Sequence, residues 1–206
     1  MTKLRELYKQ VFHFLFVDLK YFMIGVPLFF IAIMIVSWLF FAKNTDAMMQ
    51  LIDAFREQVE NMSDDGKIQF VQLFLNNSRV CLMCLGLGLI PFLFVPALIL
   101  AGNSALMGAM CALYAMNGLS VGKMLIIGIL PHGIFELPAM FLSMGMGLAL
   151  CLGLCKRITE PKNNQGTVVP MIKNSAISFV LVVIPLLLVA AAVEAFVTGR
   201  LLEMFF

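Results

Sequence analysis

Charged residues are scarce in this chain. They make up 13% of its 206 residues, about half of the roughly 25% typical of soluble domains. That shortage excludes an ordinary water-facing surface. With 62% hydrophobic residues and a mean hydropathy of +0.99, the chain reads as an integral membrane protein. Net charge is only +2, so the basic field that nucleic acid demands is missing and no nucleic-acid partner is expected. The length leaves room for a single membrane domain, 1–206, and for no sizeable soluble one.

Chemistry-bearing patterns are missing as well. Histidine occurs twice, as His13 near the start and His132 far along the chain, so the H-E-x-x-H face of a zinc protease cannot be built. There is no P-loop and no G-x-G-x-x-G turn. Ser143 lies about two helical turns beyond Glu136 and outside any nucleophile elbow. No catalytic residue, metal ligand or cofactor is therefore assigned, and the chain is expected not to be an enzyme. Cys81 and Cys84 form C-x-x-C, but no second pair or βαβ context supports a metal or redox reading. With Cys111, Cys151 and Cys155 they read as small apolar packing residues, as do the 16 methionines. No A-x-A cleavage site follows the first apolar run, which at Tyr21 to Phe41 is longer than the 7–15 residues of a signal peptide core.

What is present is a series of membrane-length apolar segments. Residues 1–19 form an amphipathic helix, with Leu4, Leu7, Val11, Leu15 and Leu19 at helical spacing opposite Lys3, Arg5 and Lys9. It suits a membrane interface, or it extends the first spanning helix at about 20–41. Residues 42–79 are the main polar segment. Met48, Ile52, Phe55, Val59 and Met62 give it one amphipathic helix before "SDDG", and a second helix enters the membrane after it. A second spanning helix is expected at about 79–101, kinked by Pro91 and Pro96. A tight connection at "AGNS" and a third helix at about 104–117 follow. Residues 156–174 are a polar loop, and the last helix covers about 175–198.

Lysine and arginine are dense at 3–20 and 156–174, whereas 42–79 carries more acids than bases. The positive-inside rule puts the first two segments in the cytoplasm and the third outside. An odd number of crossings must then lie between 79 and 156. Helix 2, helix 3 and 138–155 supply three, leaving 121–137 as a surplus, too short to cross and return. It is read as a re-entrant hairpin turning near Pro131–Gly133, since irregular backbone at membrane depth survives only when buried or lining a polar cavity. The expected fold class is all-α: a polytopic membrane helical bundle of about five transmembrane helices, a re-entrant helical hairpin and an N-terminal interfacial helix.

The candidate site is "ILPHGIFELPA" at 129–139. His132 and Glu136 stand i, i+4 and would share a helix face. Ionisable groups inside a bilayer are costly and call for a partner. The pair could relay protons or ions, ligate a metal, or act as acid and base. The favoured reading is a polar clamp that satisfies backbone groups freed by Pro131 and Pro138. Glu194 is the other costly charge, near the outer end of the last helix. Asn76 and Asn77, beside Arg79, stand at the mouth of helix 2. Glycines in "GLGL", "NGLSVG" and "SMGMGLALCLG" permit close helix approach.

These residues carry a resemblance. "LPHGIFELPA" followed by "MGMGLAL", with "FLNNSRV" at 74–80 and "VEAFVT" at 193–198, resembles the stage II sporulation protein M family over most of the chain. Pro131, His132, Gly133, Glu136, Pro138 and Glu194 fall on family motif positions to which no chemistry is attached. The resemblance implies a multi-pass protein of a bacterial or archaeal cell (inner) membrane. In spore formers the namesake anchors a complex with septal peptidoglycan hydrolases during engulfment. Other members sit beside ATP-binding cassette ATPases in export or self-immunity systems. Two roles follow as expectations: a scaffold recruiting cell-wall hydrolases through 42–79, or the membrane subunit of a transport system meeting an ATPase through residues 1–19 or 156–174. A self-contained carrier using His132 and Glu136 is the third. Homo-oligomerisation is compatible with all three. The orientation has a direct check. A Glu60→Cys variant should be labelled by an impermeant maleimide added to intact cells, and protection until lysis would reverse the assigned sides.

Overall fold

The computed structural model describes residues 2–60, 70–161, 166 and 168–198. Among the described residues the regular structure is helical throughout. The helices are α1 (Thr2–His13), α2 (Lys20–Phe41), α3 (Thr45–Glu60), α4 (Phe70–Leu87) and α5 (Val95–Met116), followed by α6 (Val121–Thr159) and α7 (Val168–Thr198). Five of them, α2 and α4 to α7, are long and apolar enough to cross a membrane. This is the composition's consequence: in lipid an open peptide group has no water to bond, so a spanning segment must close its hydrogen bonds within itself.

α6 is the axis of the bundle. In its most apolar window 61% of residues are buried, against 11–39% in the other four spanning helices. Glycine lets its neighbours come close. A Cβ on Gly147 would strike the Cys84 carbonyl of α4 and the Pro96 ring of α5. Gly145 faces Phe22 and Met23 of α2 in the same way. α2 and α5 meet at Gly108, where an added Cβ would lie 2.6 Å from the Met34 carbonyl oxygen. Around these contacts Val26, Phe30, Leu100, Met140, Met144, Met146, Val183 and Leu187 form the core.

The 121–137 segment is not a re-entrant hairpin. The backbone stays helical from Val121 through Thr159, and the chain does not reverse at Pro131–Gly133. At about 1.5 Å per residue, α6 is roughly 58 Å long, nearly twice the roughly 30 Å hydrocarbon core. The surplus residues are thus absorbed as helix length. Two of the prolines, Pro131 and Pro185, are accommodated by widening rather than breaking. A proline ring meets the carbonyl four residues earlier. For Pro131 that residue is Ile127, inside the π-helical stretch Met124–Ile129. For Pro185 it is Leu181, inside a second such stretch, Phe179–Val183. A wide turn ahead of each proline moves those carbonyls aside.

The turn between the second and third spanning helices also falls elsewhere than expected. "AGNS" at 101–104 lies within α5, and the chain breaks at 88–94 instead. Polar side chains do not force a turn when they bond to their own helix: Asn103 donates to the Ile99 carbonyl and Ser104 to the Leu100 carbonyl. The true break holds Phe92 and Phe94 at positive φ, 68° and 47°, with Pro96 in the first turn of α5. Its freed polar groups find sulfur on α6. The Phe92 N–H donates to Cys155 Sγ at 3.2 Å, and the Cys151 thiol donates to the Ile90 carbonyl at 3.4 Å. The polar stretch 156–174 is in part helical, since α6 runs to Thr159 and α7 starts at Val168.

α1 and α3 use their apolar faces on the bundle itself. Val11, with Phe14, Leu15 and Leu19 in the turn that follows α1, enters the main core. Phe12 and Phe16 stack at 5.8 Å on the exposed side. On α3, Met48 and Ile52 are buried against Phe41, Ala109 and Ala112, so they are not free for a partner. The side chains of Phe55, Val59 and Met62 lie outside the described residues.

Glycine positions make this packing testable. Gly147→Val and Gly108→Val should each lower unfolding stability in detergent by about 1–3 kcal/mol or more, the range for overpacking a tight core. Gly25→Ala, with open space around it, should stay at or above the parent. Equal melting of all three variants would mean that the helices do not meet at these glycines.

Candidate functional site

Two helices supply the site, each through an i, i+4 pair. α6 carries His132 and Glu136; the end of α7 carries Glu194 and Thr198, within the wide turn Glu194–Thr198. In both cases the four-residue spacing places the pair on one face. α6 and α7 run side by side, so the two faces meet. His132 Nε2 lies 4.0 Å from Glu136 Oε2, with side chains 14% and 26% exposed. His132 Nδ1 lies 3.3 Å from Thr198 Oγ1, and the Thr198 hydroxyl donates to the Val193 carbonyl at 3.5 Å. One nitrogen or oxygen from each of His132, Glu136 and Glu194 falls within 4.8 Å of the others. Phe70 of α4 stacks on Phe196 at 6.5 Å beside them.

The depth of the cluster follows from helix rise. From Lys156, whose charge marks one membrane face, α6 rises roughly 30 Å to Glu136 at about 1.5 Å per residue. That is about one hydrocarbon thickness. The cluster therefore stands about one membrane thickness along α6 from Lys156.

The sequence-derived residues divide into three groups. His132, Glu136 and Glu194, read from separate segments, come together. Pro131 and Pro138 belong to α6 and shape its course, and Gly133 is a buried helical position where a Cβ would find side-chain atoms no nearer than 3.4 Å. Asn76 and Asn77 lie half-buried on α4 and are not among the hydrogen-bond partners of His132. Among the described residues, the contacts of His132 run to the side chains of Thr198 and Glu136. Thr198 escaped the sequence reading. The available signal was the E-x-x-x-T spacing, a counterpart of H-x-x-x-E. His13 lies apart, 3.6 Å from exposed Asp18. The described cysteines are buried and unpaired.

The chemistry open to this set is narrow. An imidazole and two carboxylates can share a proton or hold a cation. A nucleophile within reach of His132 as base would have to be the Thr198 hydroxyl, which faces Nδ1 but donates its proton to Val193. A shallow apolar hollow of about 180 Å³ between α2 and α5, lined by Phe22, Val26, Phe29 and Leu100 among others, does not include the cluster.

Four membrane-length apolar helices around a fifth, central one define a polytopic membrane protein of the all-α class. The comparisons narrow it further: the model of the stage II sporulation protein M family matches residues 26–199, and the chain belongs to that family. An uncharacterized protein of Methanocaldococcus jannaschii is 30% identical over 197 residues, covering 93% of this chain and 84% of that protein. No solved structure matches. The matched range begins after α1 and takes in the whole cluster.

The His132–Thr198 contact joins two helices and should be measurable. In a double-mutant cycle with His132→Ala and Thr198→Val, thermal or denaturant unfolding should give a coupling of about 0.5–1.5 kcal/mol, the net worth of one hydrogen bond. Strict additivity would mean that the two side chains do not interact.

Proposed function

We propose that this protein is a non-enzymatic membrane scaffold, anchoring a complex in the cell (inner) membrane of a bacterium. Its N-terminus would be cytoplasmic and its C-terminus extracytoplasmic. In a spore former the partners would be septal peptidoglycan hydrolases. The observation that carries this reading is how α3 is held. Met48 and Ile52 pin one face of it to α2 and α5. The opposite face presents Asp46, Met49, Gln50 and Asp53, all exposed. A helix fixed on one side and acidic on the other is a rigid docking platform, and by charge it lies on the extracytoplasmic side. Docking would therefore use the acidic face rather than the apolar one.

A second reading keeps a specific observation in its favour. Gln10 of α1 donates to Asn174 of α7 at 2.9 Å. That bond joins the two basic segments that would meet an ATP-binding subunit in an export or self-immunity system. The two readings separate in one experiment. Cross-linking of the tagged full chain in its host, followed by purification, should recover a cell-wall hydrolase, and Asp46→Lys with Asp53→Lys should remove most of it. Recovery of an ATP-binding subunit instead, lost on disturbing Gln10 or Asn174 and insensitive to the α3 changes, would replace the scaffold by the transport reading.

A further inference from the structure

We propose that His132, Glu136 and Glu194 bind one divalent metal ion of the zinc class, which clips the end of α7 to α6. Three observations lead there. The first is charge. Two carboxylates, from α6 and α7, face one another across the cluster, each half-buried. Like charges in such a place oppose each other and resist dehydration. Among the described residues no Lys or Arg forms an ion pair with either one. A bound cation answers both costs at once.

The second observation is the histidine's orientation. Thr198 Oγ1 lies 3.3 Å from His132 Nδ1 and 3.5 Å from the Val193 carbonyl. In the tautomer with the proton on Nδ1, the hydroxyl oxygen accepts from Nδ1–H, its own proton goes to Val193, and Nε2 is left as a lone pair. That lone pair faces Glu136 Oε2 at 4.0 Å, too far for a hydrogen bond. With bonds of about 2.0–2.2 Å, two ligands on one tetrahedral ion stand roughly 3.3–3.6 Å apart, so a bound ion would draw these two atoms together by about half an ångström. A ligating histidine held through its other nitrogen by a polar group is the usual second-sphere arrangement, and Thr198 supplies that group.

The third is the donor set. One imidazole nitrogen and two carboxylates suit zinc and its first-row neighbours; calcium and magnesium prefer all-oxygen sites. Three protein ligands leave at least one position for water. The partial exposure of His132 and Glu136 gives the ion a route in from the aqueous side. Metal binding would hold the end of α7 against α6, where among the described residues the His132–Thr198 hydrogen bond joins them.

The test uses the full chain in lipid nanodiscs, stripped with a chelator and titrated with Co2+ as a spectroscopic probe. One Co2+ per chain should bind with visible ligand-field bands. Zn2+ should displace it, millimolar Mg2+ should not, and Zn2+ should raise the melting temperature. Glu136→Gln and Glu194→Gln should each weaken Co2+ at least tenfold. Thr198→Val should weaken it about tenfold, as loss of a second-sphere partner does. His13→Ala and the pair Cys81→Ser and Cys84→Ser should leave it unchanged. X-ray absorption of the zinc-loaded parent protein, which needs no variant to fold, should give a nitrogen and oxygen shell with one imidazole. The proposal fails if the parent binds no stoichiometric ion, if sulfur appears in the shell, or if correctly folded Glu136→Gln and Glu194→Gln variants bind Co2+ as the parent does.

Discussion

Lipid offers no hydrogen bond to a peptide group, and each departure from plain helix in this bundle is an answer to that constraint. Prolines would ordinarily open the helix, yet Pro131 and Pro185 follow wide turns that carry the opposing carbonyls out of the way. The break at 88–94 lies against α6, where two thiols of the central helix bond its loose N–H and C=O groups. Ser104 and Asn103 turn inward to carbonyls of their own helix. Cysteines that read as mere filler are, in two cases, hydrogen-bond partners for irregular backbone.

Close packing follows from the same physics. Between helices in a membrane there is little hydrophobic drive, because lipid tails are as apolar as leucine. Contact area must come from backbones that approach closely, and glycine at 88, 108, 145 and 147 allows it. α6 can then touch α2, α4, α5 and α7 together, which explains why its apolar window is the most buried of the five. The length of that helix carries the His132–Glu136 pair against the end of α7.

The site depends on that placement. Each of its four side chains stands on an unremarkable helical face, and neither helix alone would suggest more than an i, i+4 pair. Brought together, they form a compact polar group in which His132 is held by Thr198 and turned toward Glu136. An ion there would join the central helix to the end of the last one, beside α4 at Phe70. The acidic face of α3 and the basic pairing of α1 with α7 are separate surfaces, so anchoring a partner and holding an ion need not compete.

The residues alone determined that this is an all-α membrane protein with five helices long and apolar enough to cross, because length and hydropathy act locally and additively along a chain. They also marked His132, Glu136 and Glu194, since a charge in an apolar run is conspicuous wherever it lies. They misplaced the turn between the second and third spanning helices: "AGNS" looks like a connection until its side chains are seen bonding within the helix. They also suggested a hairpin at Pro131, because a proline with surplus length looks like a reversal, whereas a π-helical turn lets the helix continue. That Glu194 and Thr198 meet His132 was settled only by the tertiary structure. The pairing joins residues more than sixty positions apart, and it depends on how far α6 and α7 slide along each other, which no local pattern in either segment records.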